Sequence, residues 1–241
     1  MAEDVAVSVI KAEDVGVSVT KPVDSWWTVL VIDPIATRLT PRLARITWLT
    51  PNFVTLVAFT IGMAGVGMFA AGLLRLGAVV FEVHFLFDCL DGKIARLRRL
   101  SSERGAYLDE LSDTACSGGA YLAVALAVSP QRGAWHVLLP LVTVIFFVAV
   151  LAHQPVVQHG AIPERLGGAR RGWQRWLNDR RLMAYPSGVE VEVATLFLVP
   201  LLLGVDAVRV VLVAAMGFFL LRLADDVRRV WMTVVPGSQP S

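Results

Sequence analysis

The chain has 241 residues, a formal net charge of +2 at pH 7, 56% hydrophobic residues and only 17% charged ones. Soluble domains carry about 25% charged residues, and here the apolar excess is gathered into runs of roughly twenty, the length that crosses a bilayer core. An ordinary soluble domain is excluded; an integral membrane protein is expected, with no nucleic-acid partner. The two cysteines, Cys89 and Cys116, fall inside apolar runs. They lack the spacing of a zinc site or a disulfide framework, so they read as small buried residues. The first residues, MAEDVAVSVIK, are acidic and contain no basic stretch leading into an apolar one, so no cleaved leader is expected.

Residues 1–24 are dominated by an imperfect ten-residue repeat, Ala2–Lys11 and Ala12–Lys21. Two copies are too few for a solenoid. A poorly ordered tail is expected, with a short strand pair as the weaker alternative. Residues 25–48 differ: Trp26 and Trp27 precede an apolar stretch, and Arg38, Arg42 and Arg45 recur at near-helical spacing. The pattern predicts an amphipathic helix in the membrane interface, tryptophans at headgroup level and arginines toward phosphates. Pro34 and Pro41 would bend or break it, and an irregular linker is the plainer alternative.

Six spans follow, near 52–74, 76–99, 105–128, 134–155, 187–204 and 206–227. They form one transmembrane domain over 50–230, with a C-terminal tail at 231–241. Pro51 stands where proline is tolerated, at a helix start. Gly62, Gly65 and Gly118 are the small residues that let membrane helices approach closely. The arginines alternate across the spans. Arg38, Arg42 and Arg45 precede the first; Arg96, Arg98, Arg99 and Arg104 join the second and third. Arg165, Arg170, Arg171, Arg175, Arg180 and Arg181 join the fourth and fifth, and Arg222, Arg228 and Arg229 close the sixth. The other turns hold little beyond Arg75, Arg132 and Arg209. By the positive-inside rule both termini and the two basic loops are cytoplasmic, in agreement with an even number of spans.

The chemistry is concentrated in Phe87–Ser117, where Asp88, Asp91, Asp109 and Asp113 stand at fixed spacing. Asp88 and Asp91 are three apart and share one helix face; Asp109 and Asp113 are four apart and share another. A short basic turn joins the two helices, so they run antiparallel. A fold about Leu100 and Ser101 sets Asp88 level with Asp113 and Asp91 level with Asp109. Four carboxylates in one volume repel, and burial adds a desolvation cost; such groups near a membrane point to function. An all-oxygen ligand set suits Mg²⁺, Mn²⁺ or Ca²⁺, and four carboxylates can hold two ions that clamp a phosphoryl displacement. Gly92 and Ala95 lie on or beside the aspartate face, and Gly105 lies one turn before Asp109. Missing side chains leave room for a bulky ligand, and Arg96 is placed to meet a phosphate with its planar fork. Singly, each of these residues reads as a cap, a solvated face or a topology signal; together they do not.

The run Asp88-x2-Asp91-Gly92-x2-Ala95-Arg96-x8-Gly105-x3-Asp109-x3-Asp113 resembles the complete motif of the CDP-alcohol phosphotransferases, also called CDP-alcohol phosphatidyltransferases. The specific part covers 26 residues. The resemblance implies an all-α integral membrane protein: six transmembrane helices around a cytoplasm-facing polar cavity, preceded by an interfacial helix, and commonly a homodimer. It implies metal ligation by Asp88, Asp91 and Asp109 with Asp113 beside them, and Asp113 as the base that deprotonates the acceptor hydroxyl. Gly92, Ala95, Arg96 and Gly105 would line the CDP site. The cofactor would be Mg²⁺ or Mn²⁺, as two ions, and the substrates a CDP-alcohol and an alcohol acceptor, with CMP released.

Secondary candidates have weaker signals. His84, one turn before Asp88, either floors the cavity or is a packed neutral histidine. Glu82 lies off that face. Glu190 and Glu192 start the fifth span, where acids favour the helix dipole. Asp225 and Asp226 can pair with nearby arginines. Asn52, beside Pro51, and Tyr107 are further candidates for the nucleotide's border. The loop Arg165–Arg181 could draw in an anionic acceptor or serve topology and anionic lipid alone.

The leading reading is a transferase of phospholipid biosynthesis with CDP-diacylglycerol as donor. The alternative is a soluble CDP-alcohol with a lipid or polar acceptor. The fourth span ends in Ala152-His153-Gln154-Pro155, where related families of the first kind often carry a Lys-Ala-Arg-like stretch, which leaves the substrate open. A divalent-cation transporter is a lesser alternative, because the aspartates crowd helix ends and the spans show no internal repeat. An inactive relative kept for assembly is opposed by the intact motif.

Overall fold

The computed structural model describes residues 19–129, 133–158, 168–183 and 187–234. Residues 1–18, which hold most of the ten-residue repeat, lie outside the described residues, as does the tail from 235. The described residues are helical apart from turns and one isolated parallel bridge between Asp24 and Leu182. A π-helical turn, Thr28–Ile32, leads into α1 (Asp33–Leu43). Then come α2 (Pro51–Ala70), α3 (Leu74–Arg98), α4 (Glu103–Val128), α5 (Trp135–Gln158) and α6 (Gly168–Asn178). Next, α7 (Gly188–Glu192) runs through a π-helical stretch, Val193–Leu198, into α8 (Val199–Leu202), and α9 (Val205–Val234) is the last described element.

Local chemistry sets these ends. The Thr50 hydroxyl accepts from Phe53 N at 3.2 Å, and Pro51 occupies the first turn of α2, where its missing N–H costs nothing. Ser102 caps α4 by accepting from Gly105 N at 3.1 Å. Between them α3 stops at Arg99, which takes a left-handed φ of 56°, a conformation that ends a helix. Ser187 and Glu190 form a reciprocal capping box on α7, the ordinary role for an acid at that position. Pro34 lies in the first turn of α1 and Pro41 in its last. The helical run is continuous from residue 26 to residue 43: Pro34 follows its π-helical turn and Pro41 lies near its end, and neither breaks it.

Among the described residues, three helices are long and apolar enough to cross a membrane: α2, α4 and Val205–Arg228 of α9. The other expected spans are helices too, but differ in composition. α3 carries Arg75, Glu82, Asp88, Asp91, Lys93, Arg96 and Arg98. α5 is apolar over Trp135–Val150, the part of it whose side chains are described. The fifth is divided among α7, the π-helical stretch and α8, where Pro200 begins a new turn.

One core joins α2 to α5 with α9. Its aromatic centre is Tyr121, Phe146 and Phe219, with ring centroids 5.1–5.7 Å apart. A second cluster seats α1 on α3 through Ile32, Ala36, Val54, Leu90 and Ile94. Glycines permit the closest approaches. A Cβ on Gly62 would stand 2.6 Å from Cys116 Sγ and 3.0 Å from the His84 ring, and one on Gly118 would clash with the tip of the Phe147 ring. Both cysteines are free; Cys116 is buried and Cys89 half-buried.

Candidate active site

Asp88 and Asp91 project from α3, Asp109 and Asp113 from α4. The helices diverge from their turn, and each packs chiefly against α2, with little contact between them. The aspartates therefore meet across a gap bordered by the N-terminal end of α2. One carboxylate oxygen each from Asp88, Asp91 and Asp109 lies within 4.8 Å of the other two. Asp109 faces both partners across the gap, and its Oδ1 is buried without a hydrogen-bond partner. Ionised carboxylates only accept hydrogen bonds, so this contact requires a cation or a shared proton. Asp113 lies outside the closest triad but within electrostatic reach of Asp88 and Asp109. The set is all oxygen and partly buried, and it fits Mg²⁺ or Mn²⁺.

A cavity of about 170 Å³ opens beside the triad. Gly92, Ala95, Arg96 and Gly105 line it together with Asp91, Asp109, Asn52 and Thr55. Four spacing-derived candidates thus share one wall with two of the aspartates, and Asn52 joins them. Tyr107 is 69% exposed and is absent from that wall. His84 is buried, and its Nδ1 donates to the Ala58 carbonyl at 2.9 Å, with the Phe81 ring tilted against it at a centroid distance of 5.1 Å. It packs α3 onto α2 and makes no bond to a carboxylate. Glu82 accepts from Trp27 Nε1 at 2.7 Å, which moors the segment before α1. Asp225 and Asp226 pair with Arg228 and Arg222.

Several contacts carry no mark in the sequence. Thr55 on α2 donates to Asp91 Oδ2 at 2.6 Å and aims that carboxylate. Ser117, one turn beyond Asp113, donates to Glu192 Oε1 at 2.6 Å. Glu192 therefore does more than favour a helix dipole: it stands within electrostatic reach of Asp113. A second cavity of about 180 Å³ begins there, bordered by Glu110, Gly188, Glu192 and Arg222. Lys93 reaches back from α3 to Asp33 of α1 at 2.9 Å. Arg98 clasps the α1–α2 loop through the carbonyls of Ala44, Ile46 and Leu49.

An all-helical core with helices long and apolar enough to cross a membrane thus carries a carboxylate cluster beside a cavity lined by an arginine, a donor set that suits a hard divalent cation. The chain belongs to the CDP-alcohol phosphatidyltransferase family, whose model matches residues 48–235. The bifunctional IPC transferase and DIPP synthase of Rubrobacter xylanophilus is 36% identical over 107 residues, 36% of this chain and 24% of that protein. The phosphatidylinositol phosphate synthase of Mycobacterium tuberculosis is 39% identical over 74 residues, 30% of this chain and 34% of that protein. The matches span well under half the length of these curated relatives. Crystal structures of the mycobacterial enzyme share the fold. The complex with manganese and citrate gives a TM-score of 0.57 at 22% identity, over 86% of this chain and 91% of that one. The form with CDP-DAG bound gives 0.56 at 21%, over 86% and 98%.

Proposed function

We propose that the chain transfers the substituted phosphate of a CDP-alcohol to an acceptor hydroxyl and releases CMP, with CDP-diacylglycerol as donor. The observation that carries this reading is the Asp88–Asp91–Asp109 triad opening onto a cavity lined by Gly92, Ala95, Arg96 and Gly105. A fold neighbour described with CDP-DAG bound supports the lipid donor. Several relatives are named as phosphatidylinositol or archaetidylinositol phosphate synthases, so a phosphorylated polyol is the acceptor class of this reading.

Divalent ions, two in this proposal, would neutralise the pyrophosphate and stabilise charge developing on its bridging oxygen. Asp88, Asp91 and Asp109 would hold them, with Asp113 at their side. Thr55 keeps Asp91 aimed. Gly92 and Gly105 leave the backbone open to the nucleotide, and the guanidinium of Arg96 is the phosphate partner. The acceptor would enter from the second cavity, at Glu192 and Arg222. Asp113 takes the hydroxyl proton, the freed oxygen attacks the β-phosphorus, the bond to the CMP oxygen breaks, and CMP departs.

In the same reading six helices cross the bilayer: α2 to α5, the α7–α8 run, and α9. Residues 25–48 lie in the interface, both termini and the site face the cytoplasm, and the protein is a homodimer. The test incubates purified protein with Mn²⁺ or Mg²⁺ and a panel of CDP-alcohols and acceptors, and follows CMP. Metal-dependent CMP release that needs an acceptor alcohol supports the proposal; absence of release from every CDP-alcohol ends it.

A further inference from the structure

Residues 19–25 precede the region that the family model matches, 48–235, yet they reach the site. Val19 is fully buried, and its carbonyl accepts from Arg96 Nε at 2.6 Å. Two residues on, Lys21 brings a positive charge within reach of Asp109 and Asp113. This strap is held by the loop before α7, and most of all by Arg181, whose side chain and backbone both bond to it. Arg181 Nε donates to the Lys21 carbonyl at 3.0 Å. Its own carbonyl accepts from Asp24 N at 2.8 Å, and Met183 N donates back to the Asp24 carbonyl at 3.1 Å. Arg181 Nη2 pairs with Asp33 at 2.7 Å, and Asp33 also meets Lys93 of α3. Arg181 has a φ of 62°, which a non-glycine residue keeps only where its surroundings hold it.

An arginine tethered through Nε presents its two terminal nitrogens as a fork, the geometry that grips a phosphate through two bonds. In Arg96 that fork lies over Gly92: a Cβ there would be 3.4 Å from Nη1 and 3.8 Å from Nη2. Both residues line the cavity beside the triad. A free arginine side chain samples many rotamers, and a fixed one gives up less freedom on binding.

We propose that the N-terminal strap is a working part of the nucleotide site. Val19 orients the Arg96 fork toward the CDP pyrophosphate, and Arg181 is the positioning residue that keeps the strap in place. The inference rests on Arg96 belonging to the CDP site, as in the function proposed above.

The experiment compares the full chain, Arg181→Ala, a deletion of residues 1–22, Arg96→Ala, and Arg96→Ala combined with Arg181→Ala. CMP binding in Mn²⁺ is measured by calorimetry, and KM and kcat are measured separately for CDP-diacylglycerol. Arg181→Ala and the deletion are each expected to raise the CMP Kd and the KM for the CDP-lipid about tenfold, the scale of one charge-assisted contact. The acceptor KM should change by less than about threefold. In the Arg96→Ala background, loss of Arg181 should add nothing, because the two act through one group. The deletion leaves the Arg181–Asp33 pair in place, so it reports on the strap even where Arg181→Ala folds poorly. Unchanged CMP affinity in the deletion overturns the proposal, as do multiplicative effects in the double variant. A full chain that binds neither CMP nor any CDP-alcohol overturns the underlying function as well, and the two failures are told apart by that control.

Discussion

Asp113 and Ser117 lie one turn apart on α4, and Ser117 stands between two acids: its hydroxyl donates to Glu192 at 2.6 Å and also faces Asp113, which in turn faces the other aspartates. A base must accept a proton and release it again, and an amide of the same shape cannot. Asp113→Asn should therefore lower kcat by about 10²–10⁴-fold with little change in thermal stability, measured by CMP release and by unfolding in detergent. Full turnover by this variant on a proven substrate pair would remove Asp113 from the base role. Lys93 tests a different kind of residue. Its side chain and that of Asp33 are 4% and 6% exposed, so Lys93→Met leaves a buried carboxylate with Arg181 as its remaining partner. Removing one member of a buried pair costs about 3–5 kcal/mol, and Arg181 should hold the loss to the lower end. The expected outcome is a clear drop in melting temperature; an unchanged one would mean that the pair contributes no net stability.

At the scale of helices, close packing depends on single glycines. Gly118 of α4 is covered by the Phe147 ring of α5, whereas nothing lies within 4 Å of a Cβ placed on Gly67 of α2. Gly118→Ala should destabilise by about 1–3 kcal/mol through overpacking. Gly67→Ala should be neutral or stabilising by up to about 1 kcal/mol, because alanine restricts the unfolded chain. Comparing the two melting temperatures separates packing from helix propensity. The helices themselves were legible in the sequence, since length and hydropathy mark where a span runs. Their neighbours were not. Spacing put Asp88 and Asp91 on one face and Asp109 and Asp113 on another, but nothing in the hydropathy of Pro51–Ala70 says that this helix packs against both others. Thr55 and Ser117 went unread because one hydroxyl on an apolar helix looks like any other. The strap was missed for a further reason: Val19 and Lys21 act through backbone carbonyls, which leave no trace in side-chain identity. Arg98 illustrates the converse, an arginine whose place fits a topology signal but whose guanidinium is spent on three loop carbonyls.

For the whole molecule, the carboxylate cluster sets a conflict between folding and function. Asp88, Asp91 and Asp109 are drawn together by helices whose packing is apolar, so the fold itself brings their carboxylates into proximity. The cost of that proximity belongs to the folded state alone, because the unfolded chain lets the acids separate. A cation that binds only the folded arrangement relieves it, and the stabilisation follows RT ln(1 + [L]/Kd), about 2.7 kcal/mol at a hundredfold excess over Kd. Mn²⁺ should therefore raise the melting temperature of the full chain by several degrees, and a chelator should reverse the shift. Asp91→Asn removes one charge from the triad but keeps an oxygen for Thr55. It should melt no lower than the full chain without metal, because one repulsion is gone, and should gain much less from Mn²⁺. The opposite pattern, a variant that loses stability without metal and responds to Mn²⁺ as the full chain does, would mean that the three acids are held by bonds within the protein and do not form an ion site.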